Sequence, residues 1–200
     1  MFRLTVIFCF WLIGCSQNIP KITIATEKDY TTLHNEALAY CKKQGFNEEY
    51  YFLVDLSVHS GKNRFFVYDF KQGKVALQNL VTHGACDAFE ANDTPNEKAK
   101  LSNRVDSHCS AHGKYKVGSR DYSSWGINVK YWLEGMEESN SNARDGVTVL
   151  HSWSAVADKE IYPNYSPLSW GCPAVSDSFM RTLDAKLQAT KKPVLLWIIE

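Results

Sequence analysis

The chain has 200 residues, with 22 Lys and Arg set against 22 Asp and Glu, so its formal charge is zero, and 44% of its residues are hydrophobic. That length suits one domain with a full core and is short for two. A balanced charge leaves no electrostatic footprint for nucleic acid, and no internal period or low-complexity tract points to a repeat architecture.

Residues 1–14 hold one early charge, Arg3, and then the apolar run Leu4 to Ile13, which is too short to cross a bilayer as a mature helix and fits a secretion signal. The run closes on Leu12-Ile13-Gly14-Cys15, which resembles a bacterial lipobox and marks Cys15 for lipidation. Ser16 after it resembles the sorting signal for an outer membrane. An acylated Cys15 anchors the protein without spanning the membrane. The expected division is a leader over 1–14, a lipidated tether over 15–26 and one domain over 27–200.

Helical spacing over Glu27 to Gln44, with Leu33, Ala37, Leu38, Tyr40 and Cys41 on one stripe and Gly45 as a stop, predicts a first helix. Tyr51 to Val58, Arg64 to Phe70 and Val75 to Thr82 are β-branched and aromatic runs joined by the turns at Ser60 to Asn63 and Lys71 to Lys74, so three antiparallel strands are expected. Periodicity fails from Gly84 to Ser110, where Asn92-Asp93-Thr94-Pro95-Asn96 marks a long surface loop. Lys114 to Val117, Gly126 to Leu133 and Val147 to His151 read as further strands. Asp177 to Ala189 reads as a helix capped by Ser176, and Pro193 to Ile199 as a buried last strand. The sum is a β-rich α+β domain.

One cysteine stands out chemically. Cys172 lies in Ser169-Trp170-Gly171-Cys172-Pro173-Ala174-Val175, downstream of His151-Ser152 at the end of an apolar run. A free thiol with a pKa near 8.5 is only about 3% thiolate at pH 7, so a cysteine nucleophile needs a neighbouring base or dipole. His151 is that base if the two strand ends meet.

These residues resemble the L,D-transpeptidase catalytic domain, also called YkuD-like, in its branch ending Gly-Cys-Pro-Ala. The likeness runs in order through Arg64 to Phe70, His83-Gly84, Leu101-Ser102-Asn103, Gly113 to Gly118, Leu133 to Met136, Asn142-Ala143-Arg144, His151 and Ser169 to Val175. It implies a mixed β-sandwich with an N-terminal helix and a helix after the cysteine. It also implies a thioester route on peptidoglycan: the sulfur attacks the third residue of a tetrapeptide stem, terminal D-alanine leaves, and an amine resolves the thioester. Carried over, Cys172 is the nucleophile, His151 its base and Ser152 the residue that orients the imidazole through its carbonyl. Ser169, Trp170 and Gly171 border the oxyanion or substrate, and His83 lies near the cleft. Many relatives follow the cysteine with a polar or basic residue, whereas this chain has Pro173-Ala174-Val175, so Arg144 is the stand-in for holding a substrate carboxylate; a structural pairing with Asp145 or Glu138 is its other reading.

With Cys172 kept reduced and Cys41 on the helix stripe, Cys86 and Cys109 are the preferred disulfide in an oxidising compartment. The same two thiols with His83 and His112 have spacings that a tetrahedral zinc site uses, which stands as the alternative. No metal or other cofactor is expected. The expected protein is a monomeric, lipid-anchored periplasmic L,D-transpeptidase acting on stem peptides, without nucleic acid as partner. An L,D-carboxypeptidase or amide hydrolase on the same substrate and a noncatalytic wall-binding lipoprotein are the alternatives. A papain-like protease is disfavoured because its cysteine precedes its histidine.

Overall fold

A computed structural model describes residues 28–87 and 94–200. The leader, Cys9, Cys15, the tether up to residue 26, and Asn92 and Asp93 lie outside the described residues. Helix α1 spans Thr31–Gln44, later than the spacing predicts, because Asp29 Oδ1 accepts the Thr31 N–H at 2.8 Å and turns the chain just before it. It stops at Gly45, whose φ of +71° and N–H bond to the Cys41 carbonyl close the helix in the left-handed region. No helix among the described residues is long and apolar enough to cross a membrane.

Strands β1 (Tyr50–Asp55), β2 (Phe65–Asp69) and β3 (Lys74–Asn79) form the expected antiparallel run. β1 ends earlier than its hydrophobicity suggests, since the Asp55 carboxylate takes both the N–H and the hydroxyl of Ser57 and turns the chain. Then come β4 (Gly113–Tyr122), β5 (Val129–Gly135), β6 (Val149–Ser152) and β7 (Ala174–Val175), followed by helix α2 (Asp177–Ala189) and β8 (Val194–Ile199). Ser176 caps α2, its Oγ accepting from the Phe179 N–H at 3.3 Å. All eight strands join one mixed sheet in the order β3-β2-β1-β8-β4-β5-β6-β7, with β1/β8 and β6/β7 parallel.

The last strand therefore enters the middle of the sheet, between β1 and β4. This explains why β1 and β8 are apolar on both faces. Alternate residues Tyr51, Leu53, Leu195 and Trp197 pack with Ala37 and Cys41 of α1. The intervening Phe52, Val54, Leu196 and Ile198 join the main core with Phe179, Met180 and Leu183 of α2. The β-rich α+β class, the N-terminal helix and the helix after Cys172 are thus what the chain adopts. One helix covers each face of the central strands.

Candidate active site

Two strand residues decide the site. β7 is only Ala174 and Val175, and it pairs in parallel with β6 so that His151 stands opposite Ala174 and Ser152 opposite Val175. The loop that ends at β7 therefore brings Cys172 to the strand carrying His151. Both residues line one cavity of about 830 Å³.

Burial pushes the Cys172 thiol up from its ordinary value, against the Val149 N–H that donates to Sγ at 3.5 Å and the nearby Lys130 charge. The thiol in turn donates toward the Val147 carbonyl at 3.7 Å. Val147 is a β-branched residue at φ +54°, a costly backbone conformation that aims this carbonyl at the sulfur. His151 is buried, and Nδ1–H donates to the Ser152 carbonyl at 2.9 Å. That bond selects the tautomer whose Nε2 holds a lone pair, and no partner for Nε2 is found among the described residues. Burial pulls the imidazole below its ordinary pKa, assisted by Lys130 and opposed by the Ser152 bond. Burial thus favours the neutral form of each of the two groups.

The loop around Cys172 is held from beneath by hydroxyls. Ser169 Oγ at 2.7 Å and Thr82 Oγ1 at 3.0 Å both donate to the Cys172 carbonyl, and Thr82 Oγ1 accepts the Ala174 N–H at 2.9 Å. Ser110 Oγ donates to the Gly171 carbonyl at 3.1 Å and accepts the Gly84 N–H. Among the described residues no acceptor is found for the backbone N–H groups of Trp170, Gly171 or Cys172. Ser152 Oγ accepts the Ile127 N–H at 3.0 Å and seats the loop carrying Trp125. Trp125, Trp153, Tyr122 and Trp170 give the cavity an aromatic wall, Trp170 being 79% exposed with its ring 5.0 Å from that of His108.

Other expected site residues are placed differently. His83 is fully buried and does not line the cavity: Nδ1 accepts from Arg64 at 2.9 Å and Nε2–H donates to the Pro95 carbonyl at 2.7 Å. It fastens the loop to the buried Arg64, and burial with the adjacent guanidinium drives its pKa down to about 4. Arg144 stacks on Trp132 at 3.9 Å and is absent from the cavity lining, and no ion pair with Asp145 or Glu138 is found among the described residues. Gly171 is required by its backbone and by the loop beside it. At φ +97° a Cβ would sit 2.5 Å from the Cys109 carbonyl, so it is the neighbouring loop that requires the missing side chain. Cys86 and Cys109 form a disulfide. With those sulfurs joined and His83 occupied, the alternative zinc site has no donor set.

Sequence reading missed Thr82, Ser110, Val147 and Lys130. No short-range pattern marks them, because their part in the site depends on strands and loops distant in the chain.

The L,D-transpeptidase catalytic domain family matches residues 24–196. Among solved structures the chain is similar to an L,D-transpeptidase (residues 123–326) from Xylanimonas cellulosilytica, with 12% identity, a TM-score of 0.43, and coverage of 80% of this chain and 68% of that one. It is also similar to the helical cell shape determining protein Pgp2 from Campylobacter jejuni, with 12% identity, a TM-score of 0.43, and coverage of 84% and 55%. An L,D-transpeptidase from Mycobacterium tuberculosis H37Rv gives 13%, 0.38, and 76% and 58%. The chain thus spans little more than half the length of the last two. Comparison with curated proteins finds no match.

Proposed function

Because this chain belongs to the L,D-transpeptidase catalytic domain family, we propose that it is a cell-envelope acyltransferase acting on peptidoglycan stem peptides, with Cys172 as nucleophile and His151 as general base. The observation that carries this is the placing of both side chains on one cavity, with the imidazole tied through Nδ1 to Ser152.

In the proposed reaction Nε2 of His151 takes the thiol proton as Sγ attacks the carbonyl of the third stem residue. The oxyanion meets backbone N–H groups from Trp170 to Cys172, where one well-placed donor is worth about 3 kcal/mol. The imidazolium returns its proton to the leaving amine of D-alanine, and a thioester remains on Cys172. An amine of a second stem then attacks the thioester, gives up a proton to His151 and restores the thiol as the new amide forms. Because burial favours the protonated thiol, the base acts at the moment of attack. The low pKa of His151 keeps it available for this role, and the acid limb of kcat/KM is expected below about pH 6.5. For the N-terminus we propose acylation of Cys15, which holds a monomer at the periplasmic face of the outer membrane.

The test is incubation with a disaccharide tetrapeptide and mass spectrometry of the Cys172 peptide. A thioester adduct is expected, absent in Cys172→Ala and formed about 10² to 10⁴ times more slowly in His151→Ala. Cross-linked product reports transfer to an amine, and tripeptide alone reports hydrolysis. Binding without any Cys172 adduct would leave only a wall-binding role.

A further inference from the structure

The cavity contains a cation that no sequence motif announces. β4, β5, β6 and β7 are in register through one row, Asp121 opposite Lys130, Lys130 opposite His151, and His151 opposite Ala174. Residues directly opposite in a sheet share a face, so Lys130 and His151 are side-chain neighbours. Lys130 lines the same cavity as Cys172. Its side chain is only 21% exposed, yet its ammonium makes no hydrogen bond among the described residues. An ammonium has three donors to fill, and removing them from water without partners is costly.

Asp121 does not fill them. Its carboxylate is 3.8 Å from Lys130 Nζ, beyond hydrogen-bond length, and it already accepts from Trp132 Nε1 at 3.0 Å and the Tyr122 N–H at 2.7 Å. Arg104, another cation on the cavity, is paired with Asp87 at 2.6 Å. Lys130 Nζ thus lies 4.7 Å over the Trp132 ring and 3.8 Å from Asp121, held on the cavity wall by a cation–π contact and a long ion pair but by no hydrogen bond, so its N–H donors are left for an anion on an occupant of the cavity. On the reading of the occupant as a stem peptide, that anion is a carboxylate.

We propose that Lys130 binds a carboxylate of the acyl donor next to the scissile amide and fixes the donor over Cys172. This inference rests on the proposed function for the identity of the donor, but not for the charge preference of the cavity. It gives Lys130 the duty that the absence of an arginine after Cys172 left open.

The test uses two small alkylating probes of nearly the same size, iodoacetate and iodoacetamide, on the full chain. In both, Cys172 Sγ displaces iodide as the C–S bond forms, and the thiol proton passes to His151 or buffer. Mass spectrometry of the Cys172 peptide gives each rate separately from other cysteines. Taking the ratio of the two rates cancels any change in thiol ionisation and leaves the effect of probe charge. The iodoacetate to iodoacetamide ratio is expected to fall about tenfold in Lys130→Met, a change of about 1.4 kcal/mol, and to be largely kept in Lys130→Arg. Lys130→Gln serves in place of Lys130→Met should that variant not fold. A ratio unchanged in the folded uncharged variant would overturn the proposal. In parallel, KM for a tetrapeptide should rise in Lys130→Met while KM for its carboxamide analogue stays level. A wild-type protein that turns over neither peptide would count against the transpeptidase reading, and the alkylation ratio would still judge Lys130.

Discussion

At Gly171, with φ at +97°, a side chain would run into the Cys109 carbonyl on the next loop, 2.5 Å from the place of its Cβ. Gly171→Ala is accordingly expected to lose about 2 kcal/mol or more of stability, measured by urea unfolding, and to slow acylation of Cys172, because the loop must move to admit the Cβ. Wild-type stability in that variant would show that the loop yields freely. Cys172 and His151, the pair proposed for the chemistry, stand out in sequence because a thiol nucleophile needs a base and few residue types supply one. Ser152 acts on His151 through its carbonyl, which every residue has, so only its place next to the histidine marks it. Lys130 is the opposite case: a common surface residue type whose meaning comes from the strand register that sets it beside His151.

At the level of elements, the site depends on pieces too short to leave a period. β7 has two residues, below any alternation a sequence can display, yet its parallel pairing with β6 is what delivers Cys172. The 84–87 and 107–110 segments have no strand pattern either, and they are joined by the Cys86–Cys109 disulfide and by backbone bonds from Cys86 and Asp87 to His108 and Ser107. Since the Cys109 backbone packs on Gly171, the bridge braces the loop that carries Cys172. Replacing both cysteines by serine is expected to cost up to about 3 kcal/mol for a closed loop of this size and to lower kcat more than it raises KM, measured by thermal unfolding and steady-state kinetics. Unchanged kcat with lowered stability would limit the bridge to a structural role. The helices and most strands are legible to within a few residues, whereas β4 runs five residues past the expected Val117, to Tyr122, where its residues turn polar. Element ends also shifted where a side chain such as Asp55 captured the backbone.

For the whole molecule, burial of histidines ties stability to pH. His34 and His83 are each pushed down to about 4, with desolvation the leading cause in both. His83 has a further reason to resist a proton, since Nδ1 already accepts from Arg64. An unfolded histidine takes up its proton near pH 6.5, so between 6.5 and about 4 the unfolded chain binds more protons than the folded one, and stability must decline as pH falls through that window. Urea unfolding at intervals from pH 7.5 to 4 is expected to show this decline, with a shallower slope in His83→Gln. A flat profile for the wild type would mean that these sites admit protons without unfolding.

By itself the sequence determined that the chain is a β-rich α+β domain and where its helices lie, and it singled out Cys172 with His151 as the pair proposed for covalent chemistry. Those properties reside in local periodicity, in capping residues and in the scarcity of reactive side chains, all of which are written along the chain. The tertiary structure decided the insertion of β8 between β1 and β4, the parallel pairing of β7 with β6 that sets Cys172 on one cavity with His151, the placing of His83 and Arg144 outside the lining of that cavity, and the arrival of Lys130 within it. These depend on strand order and register, which are set by the burial of two sheet faces at once, and no segment carries that information alone.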